Sequence, residues 1–176
     1  MNVDQITLEM DQLINSKVSE ILTKKSSHQK YLDWTEMKEV CLSVKDACIK
    51  QFDEVPKGVE MACYFAEAVL APGKQNKVKL IKKALSLGSG VSGLTMILTG
   101  IGAALGWGTG IVGFIIIFCT GMALPLTLVG VGITLTVIAS YFYFNDGSEV
   151  LSNKAIDALS KGVKAALIDY IKQEEK

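Results

Sequence analysis

From residue 84 to residue 145 the chain carries no charged side chain, a run of 62 residues. Lys82 and Lys83 close it on one side and Asp146 on the other. Stretches 94–98, 111–118 and 126–139 within it are almost wholly apolar and threaded with glycine. A chain of 176 residues rarely builds a water-surrounded core large enough to hide such a length. A bilayer takes it readily, because about 20 apolar residues cross the hydrocarbon once. The block points to a membrane.

Charge is segregated around it. Residues 1–83 hold 13 lysines and 12 acidic residues, and residues 145–176 hold 5 lysines and 6 acidic residues, so a net charge of zero conceals two polar arms and an uncharged middle. The middle lifts mean hydropathy to +0.34. All 18 basic residues are lysine, which disfavours functions needing bidentate guanidinium recognition of phosphate or guanine. With no broad basic face, nucleic acid is not an expected partner.

Cys41, Cys48, Cys63 and Cys119 form no C-x-x-C pair, and His28 is the one histidine available to join a metal site. Cys41 and Cys48 are seven apart on one helix, too distant to bridge without bending it. Reduced, buried thiols are expected, with the arms in a reducing compartment. His28 lies in a polar loop and reads as a solvated residue. The start, Met1-Asn2-Val3-Asp4, has no basic-then-apolar leader, so membrane targeting is expected to be internal and the arms to face the cytoplasm.

Both arms read as helical. Val3, Ile6, Met10, Leu13, Ile14, Val18 and Ile21 recur at three- and four-residue steps, predicting a helix over 3–22 with Asn2 and Gln5 as a capping box. Residues 24–30 read as a loop. A second helix is expected over 31–52, with Met37, Val40, Cys41, Val44, Cys48 and Phe52 on its apolar face. A third, over 56–71, has Pro56 in its first turn and ends at Pro72-Gly73; its apolar set is Val59, Cys63, Ala66, Val69 and Leu70. The last, over 148–172, carries Leu151, Ala155, Ile156, Leu159, Val163, Leu167, Tyr170 and Ile171. Too polar to span, it must lie on a membrane surface or pack on the N-terminal helices.

Between the third helix and the block stands a collar over 74–83, Lys74, Lys77, Lys79, Lys82 and Lys83, with no acid among them. Positive charge beside an apolar run marks a cytoplasmic flank and attracts anionic headgroups.

Span count admits two solutions. Residues 84–106 make about 35 Å of helix, enough for one crossing. The sequence GWGTG at 106–110 is the best turn, with Trp107 as a headgroup-level anchor. Residues 111–144 make about 51 Å, too long for one straight crossing. Either Pro125 kinks a long tilted helix, giving a two-span hairpin with both arms on one side, or it sits in a turn at 120–125, giving three spans. The hairpin is preferred because TGMALP lacks polar turn residues and irregular backbone is costly in lipid. Trp107 and the pair Tyr141 and Tyr143 then mark opposite interfaces.

Two G-x-G-x-x-G matches, at 88–93 and 108–113, lack the following acid that dinucleotide binding requires, so no cofactor is expected. The same glycines serve helix packing better. Gly102, Gly106 and Gly110 repeat at four residues, with Gly93, Gly100, Gly130 and Gly132 adding small positions that let membrane helices approach. If 106–110 turns, that repeat is not one continuous ridge. No nucleophile, acid–base pair or metal set stands out, and a non-enzyme is expected.

The amphipathic helices 3–22, 31–52 and 56–71, the Gly-rich block 88–139 and the closing helix 148–172 together resemble the helical pore-forming domains typified by colicins. They are similar in the same architectural way to the apolipoprotein L type and to glycine-zipper toxins. The resemblance implies helices wrapped round a hydrophobic hairpin that inserts into a target membrane. In colicin-type domains that hairpin sits close to the C-terminus, whereas here about 30 residues follow it. The expected protein is all-α: N-terminal amphipathic helices (1–73), a lysine collar (74–83), a membrane-inserting hairpin (84–145) and a C-terminal helix (146–176). It would insert in a bilayer rich in anionic lipid and form homo-oligomers that permeate it. Two alternatives are a hairpin-anchored scaffold whose arms bind a protein partner, and a soluble bundle that inserts when triggered.

Overall fold

The computed structural model describes residues 3–25, 30–88 and 148–175. Five helices are formed there, in the order α1 (Val3–Thr23), α2 (Trp34–Phe52), α3 (Lys57–Leu70), α4 (Gly73–Gly88) and α5 (Ser148–Glu174), and no strand among the described residues. The all-α expectation holds. None of these helices is long and apolar enough to cross a membrane, and residues 89–147 lie outside the described set.

Helix α3 packs against α2, α4 and α5, and α1 packs against α2 and α5. The pairs α1–α2, α2–α3, α3–α5 and α5–α1 close a circuit of four helices, with α4 on the outside of α3. Three cross-links set the direction of α5. Near its start Ser152 Oγ accepts the Leu32 N–H at 2.8 Å, midway Ser160 donates to Asp11, and near its end the Tyr170 hydroxyl donates to Glu54 at 3.1 Å. Since Leu32 follows α1 and Glu54 follows α2, α5 runs antiparallel to α1.

The core is drawn from both arms. Ile6, Met10, Ile14, Val18 and Ile21 of α1 meet Met37, Val40, Cys41, Val44 and Cys48 of α2, the length of α3, and Ala155, Leu159, Val163, Leu167 and Ile171 of α5. The heptad-like spacing of these sets places each on one helical face, so burying them together is what holds the four helices in place. Helix α3 departs from a simple stripe. Gly58, Val59, Met61, Ala62, Cys63, Phe65, Ala66, Glu67, Ala68 and Val69 are all buried, so it is covered on nearly every side. Its alanines and glycine allow that, because small side chains let neighbouring backbones come close.

Helix α2 starts later than its apolar periodicity suggests, at Trp34 instead of residue 31. Asp33 is extended and accepts the Glu36 N–H at 2.9 Å, while the Glu36 carboxylate accepts the Asp33 N–H at 2.7 Å, a complete capping box. Lys25 holds Glu36 at 2.6 Å and the Tyr31 carbonyl at 2.7 Å, tying the α1–α2 connection down. Asp53 ends α2 in the left-handed region, φ 61°, a conformation that aspartate tolerates better than most residues. Helices α3 and α4 are joined by Ala71 and Pro72. Gly73 takes φ +71° there, in open space, and the Asn76 side chain bonds back to the Pro72 carbonyl at 2.9 Å.

Replacing Phe65, 1% exposed, by alanine is expected to cost about 3–5 kcal/mol in urea unfolding. Ser152→Ala removes the acceptor of a buried backbone N–H and should cost about 1–3 kcal/mol in the same measurement.

Candidate functional site

Two features of the described residues carry concentrated charge: the α4 collar and a cluster where α2, α3 and α4 meet. The cluster is built on α3, where Glu60, Tyr64 and Glu67 fall on one face by their four- and three-residue spacing. Helix α2 brings Lys38 and Lys45, two turns apart, and α4 brings Lys83. The Lys45 and Lys83 ammoniums stand 4.9 and 5.5 Å from the centre of the Tyr64 ring. Tyr64 is thus a shared cation–π partner for α2 and α4, and its hydroxyl donates to Glu60 at 3.1 Å. Lys38 lies 3.6 Å over the Trp34 ring. The indole N–H of Trp34 is buried and has no acceptor among the described residues.

Glu67 is 7% exposed. Burial pushes its carboxyl pKa up, against the downward pull of Lys45, Lys38 and Lys83, and burial wins. The Tyr64 phenol is likewise raised, first by burial and then by the Glu60 charge. On the core side of the same helices, the Cys41 and Cys63 thiols each approach the other's carbonyl, at 3.8 and 3.9 Å. Cys41 titrates well above an ordinary thiol because of its hydrogen bond with Cys63 and its burial. Burial pushes Cys48 up to about 12. Cys41, Cys48 and Cys63 are free and buried, and the raised pKa values of Cys41 and Cys48 make those two poor nucleophiles at neutral pH. Among the described residues no group of three or more His, Cys, Asp or Glu is placed to hold a metal ion. The cluster can hold α4 against α3 electrostatically.

The collar is helical, and the helix runs on into the uncharged stretch. Ala84 is fully buried and Leu87 packs on the core, so the first turn without charge belongs to the bundle. The collar lysines are not equivalent. Lys79, Lys82 and Lys83 are exposed, Lys83 with its ammonium near the Tyr64 ring, and Lys77 is half-buried with its ammonium pKa pulled down by burial. The side chain of Lys74 is outside the described set, as are His28, Cys119, the anchors Trp107, Tyr141 and Tyr143, the packing glycines Gly93, Gly100, Gly102, Gly106, Gly110, Gly130 and Gly132, and the kink at Pro125.

The cluster around Glu67 was not expected from sequence. Its signal was there in Glu60, Tyr64 and Glu67 at helical spacing, opposite Lys38 and Lys45 at a seven-residue step. Which faces meet is set only by the packing of α2 and α4 on α3.

Comparison with protein-family models, curated proteins and solved structures found no match.

A carboxyl whose pKa is raised by folding stabilises the folded state below its unfolded pKa, and that contribution is lost as pH rises through the folded value. Glu67→Gln should therefore raise the urea midpoint at pH 8 and converge towards the parent at pH 4. A difference that does not change between the two pH values would contradict the assignment.

Proposed function

We propose that this is a non-enzymatic membrane-inserting protein whose uncharged segment enters a bilayer as a two-span hairpin, assembles with other copies through its glycines and makes the bilayer leak. The observation that carries this reading is the return of the chain. The uncharged segment leaves a bundle at α4 and re-enters the same bundle at α5, where Ser152 is bonded to Leu32 and Ala155 joins the core.

A segment that leaves and rejoins one folded body ends on the side where it began, so any crossings it makes are even in number. Two spans and a turn fit residues 89–145, at about 20 residues per crossing. The arms then share one side, the cytoplasmic side by the lysine collar. The bundle fills its core with its own side chains, which supports a state in which the arms stay folded while the segment is in lipid. A second reading, a hairpin anchor presenting the bundle to a protein partner, draws support from Leu42 and Ile49, 58% and 48% exposed and two turns apart on α2.

Purified protein should release dye from liposomes, and absence of release at every lipid composition and pH would overturn the leakage function. In reconstituted vesicles, single cysteines at Ser19 of α1 and Lys172 of α5 should label from the same side. Labelling from opposite sides would exclude the hairpin.

A further inference from the structure

We propose that the outer face of α4, formed by Val78, Lys79 and Lys82, is the surface on which the folded bundle rests against anionic phospholipid headgroups. The inference depends on the bilayer reading above and names the contact and the lipid chemistry. Helix α4 holds five lysines and no acidic residue. Its rotation is set by Ala84, Ile81 and Leu87, which pack on the bundle core. That turns Lys79, Lys82 and the 41%-exposed Val78 outward. Cations beside a water-exposed aliphatic side chain suit a headgroup layer, where phosphates meet the ammoniums and the valine reaches the acyl boundary.

Position along the chain points the same way. Lys82 precedes residue 89 by about 10 Å of helix rise. If the segment beyond enters hydrocarbon, Lys82 lies close to the membrane surface, within about one Debye length, where the field of anionic lipid acts. The other junction lacks this character, for α5 opens with an exposed Glu149 and reaches no lysine before Lys154. The competing occupant is a second copy of the chain, offering the outward Glu39, Leu42, Asp46 and Ile49 of α2, all exposed. Lipid is favoured because the basic face adjoins the uncharged segment.

The test is co-sedimentation of the full chain with vesicles of phosphatidylcholine alone or mixed with phosphatidylglycerol. Lys79→Gln/Lys82→Gln is compared with Lys50→Gln/Lys57→Gln, which neutralises two exposed lysines elsewhere. The α4 pair should lose about 30-fold in affinity for the anionic vesicles, the loss expected of two lysines at about 1 kcal/mol each. The control pair should bind anionic vesicles as the parent does, and binding to phosphatidylcholine should be unchanged in both. An α4 pair that keeps the parental preference for anionic vesicles overturns the proposal while leaving the bilayer reading standing. If that pair instead dissociates oligomers formed without lipid, the face belongs to a second copy. Failure of the parent protein to bind either vesicle would overturn both.

Discussion

Almost no part of the α3 circumference is left for water, and the other helices are placed by the need to cover it. Helices α2 and α4 come from neighbouring sequence and reach it through short connections. Helix α5 comes from the far side of the uncharged segment, yet it packs on α3 and also closes against α1. Burial of apolar side chains is the dominant favourable term in such a bundle. Here that term is shared between residues such as Phe65 and Leu167, more than 100 positions apart. The arms are one structural unit because neither could cover α3 alone.

Electrostatics works against this packing at one place and with it at others. Glu67 lies in the most buried helix, and its carboxylate is held by lysine charges at a distance instead of by a close ion pair in the described structure. Desolvation prevails there, so the group costs stability when ionised. Tyr64 offsets part of that cost by giving Lys45 and Lys83 an aromatic face to occupy, linking α2 and α4 across α3. At the end of α1, Lys24 and Lys17 flank Glu20 and hold its carboxyl down to about 2, first through their hydrogen bonds and then through their charge. That arrangement is solvated and adds little to stability.

Helices α1, α2, α3 and α5 were legible in the sequence because their apolar residues keep a three-and-four spacing that only a helix puts on one face. Met37, Val40, Cys41, Val44 and Cys48 are buried as that spacing requires, and the Pro72-Gly73 stop separates α3 from α4. Less legible was the start of α2, where Tyr31 and Leu32 continue the apolar pattern but the Asp33–Glu36 box sets the boundary. The sequence of the last helix suits a membrane surface and a bundle alike, because an amphipathic stripe does not say what covers it. Ser152, Ser160 and Tyr170 bonding to Leu32, Asp11 and Glu54 decide for the bundle. The depth of α3 was also hidden, since Glu67 looks like a solvent-facing residue until α2 and α4 are packed around it. Of the collar, the lysine-rich composition was plain, but only the packing of Ala84 on the bundle core divides outward lysines from those turned towards α3.

The pairing of α3 with α5 also has a consequence for how the molecule is made. During synthesis α1, α2 and α3 emerge first, and the face of α3 that α5 will cover must wait while the 59 residues of 89–147 are translated. At about 5–20 residues per second that interval lasts several seconds, far longer than a helix takes to form. The nascent chain therefore spends that interval with a greasy, half-built domain behind it and an uncharged, apolar segment at the ribosome exit.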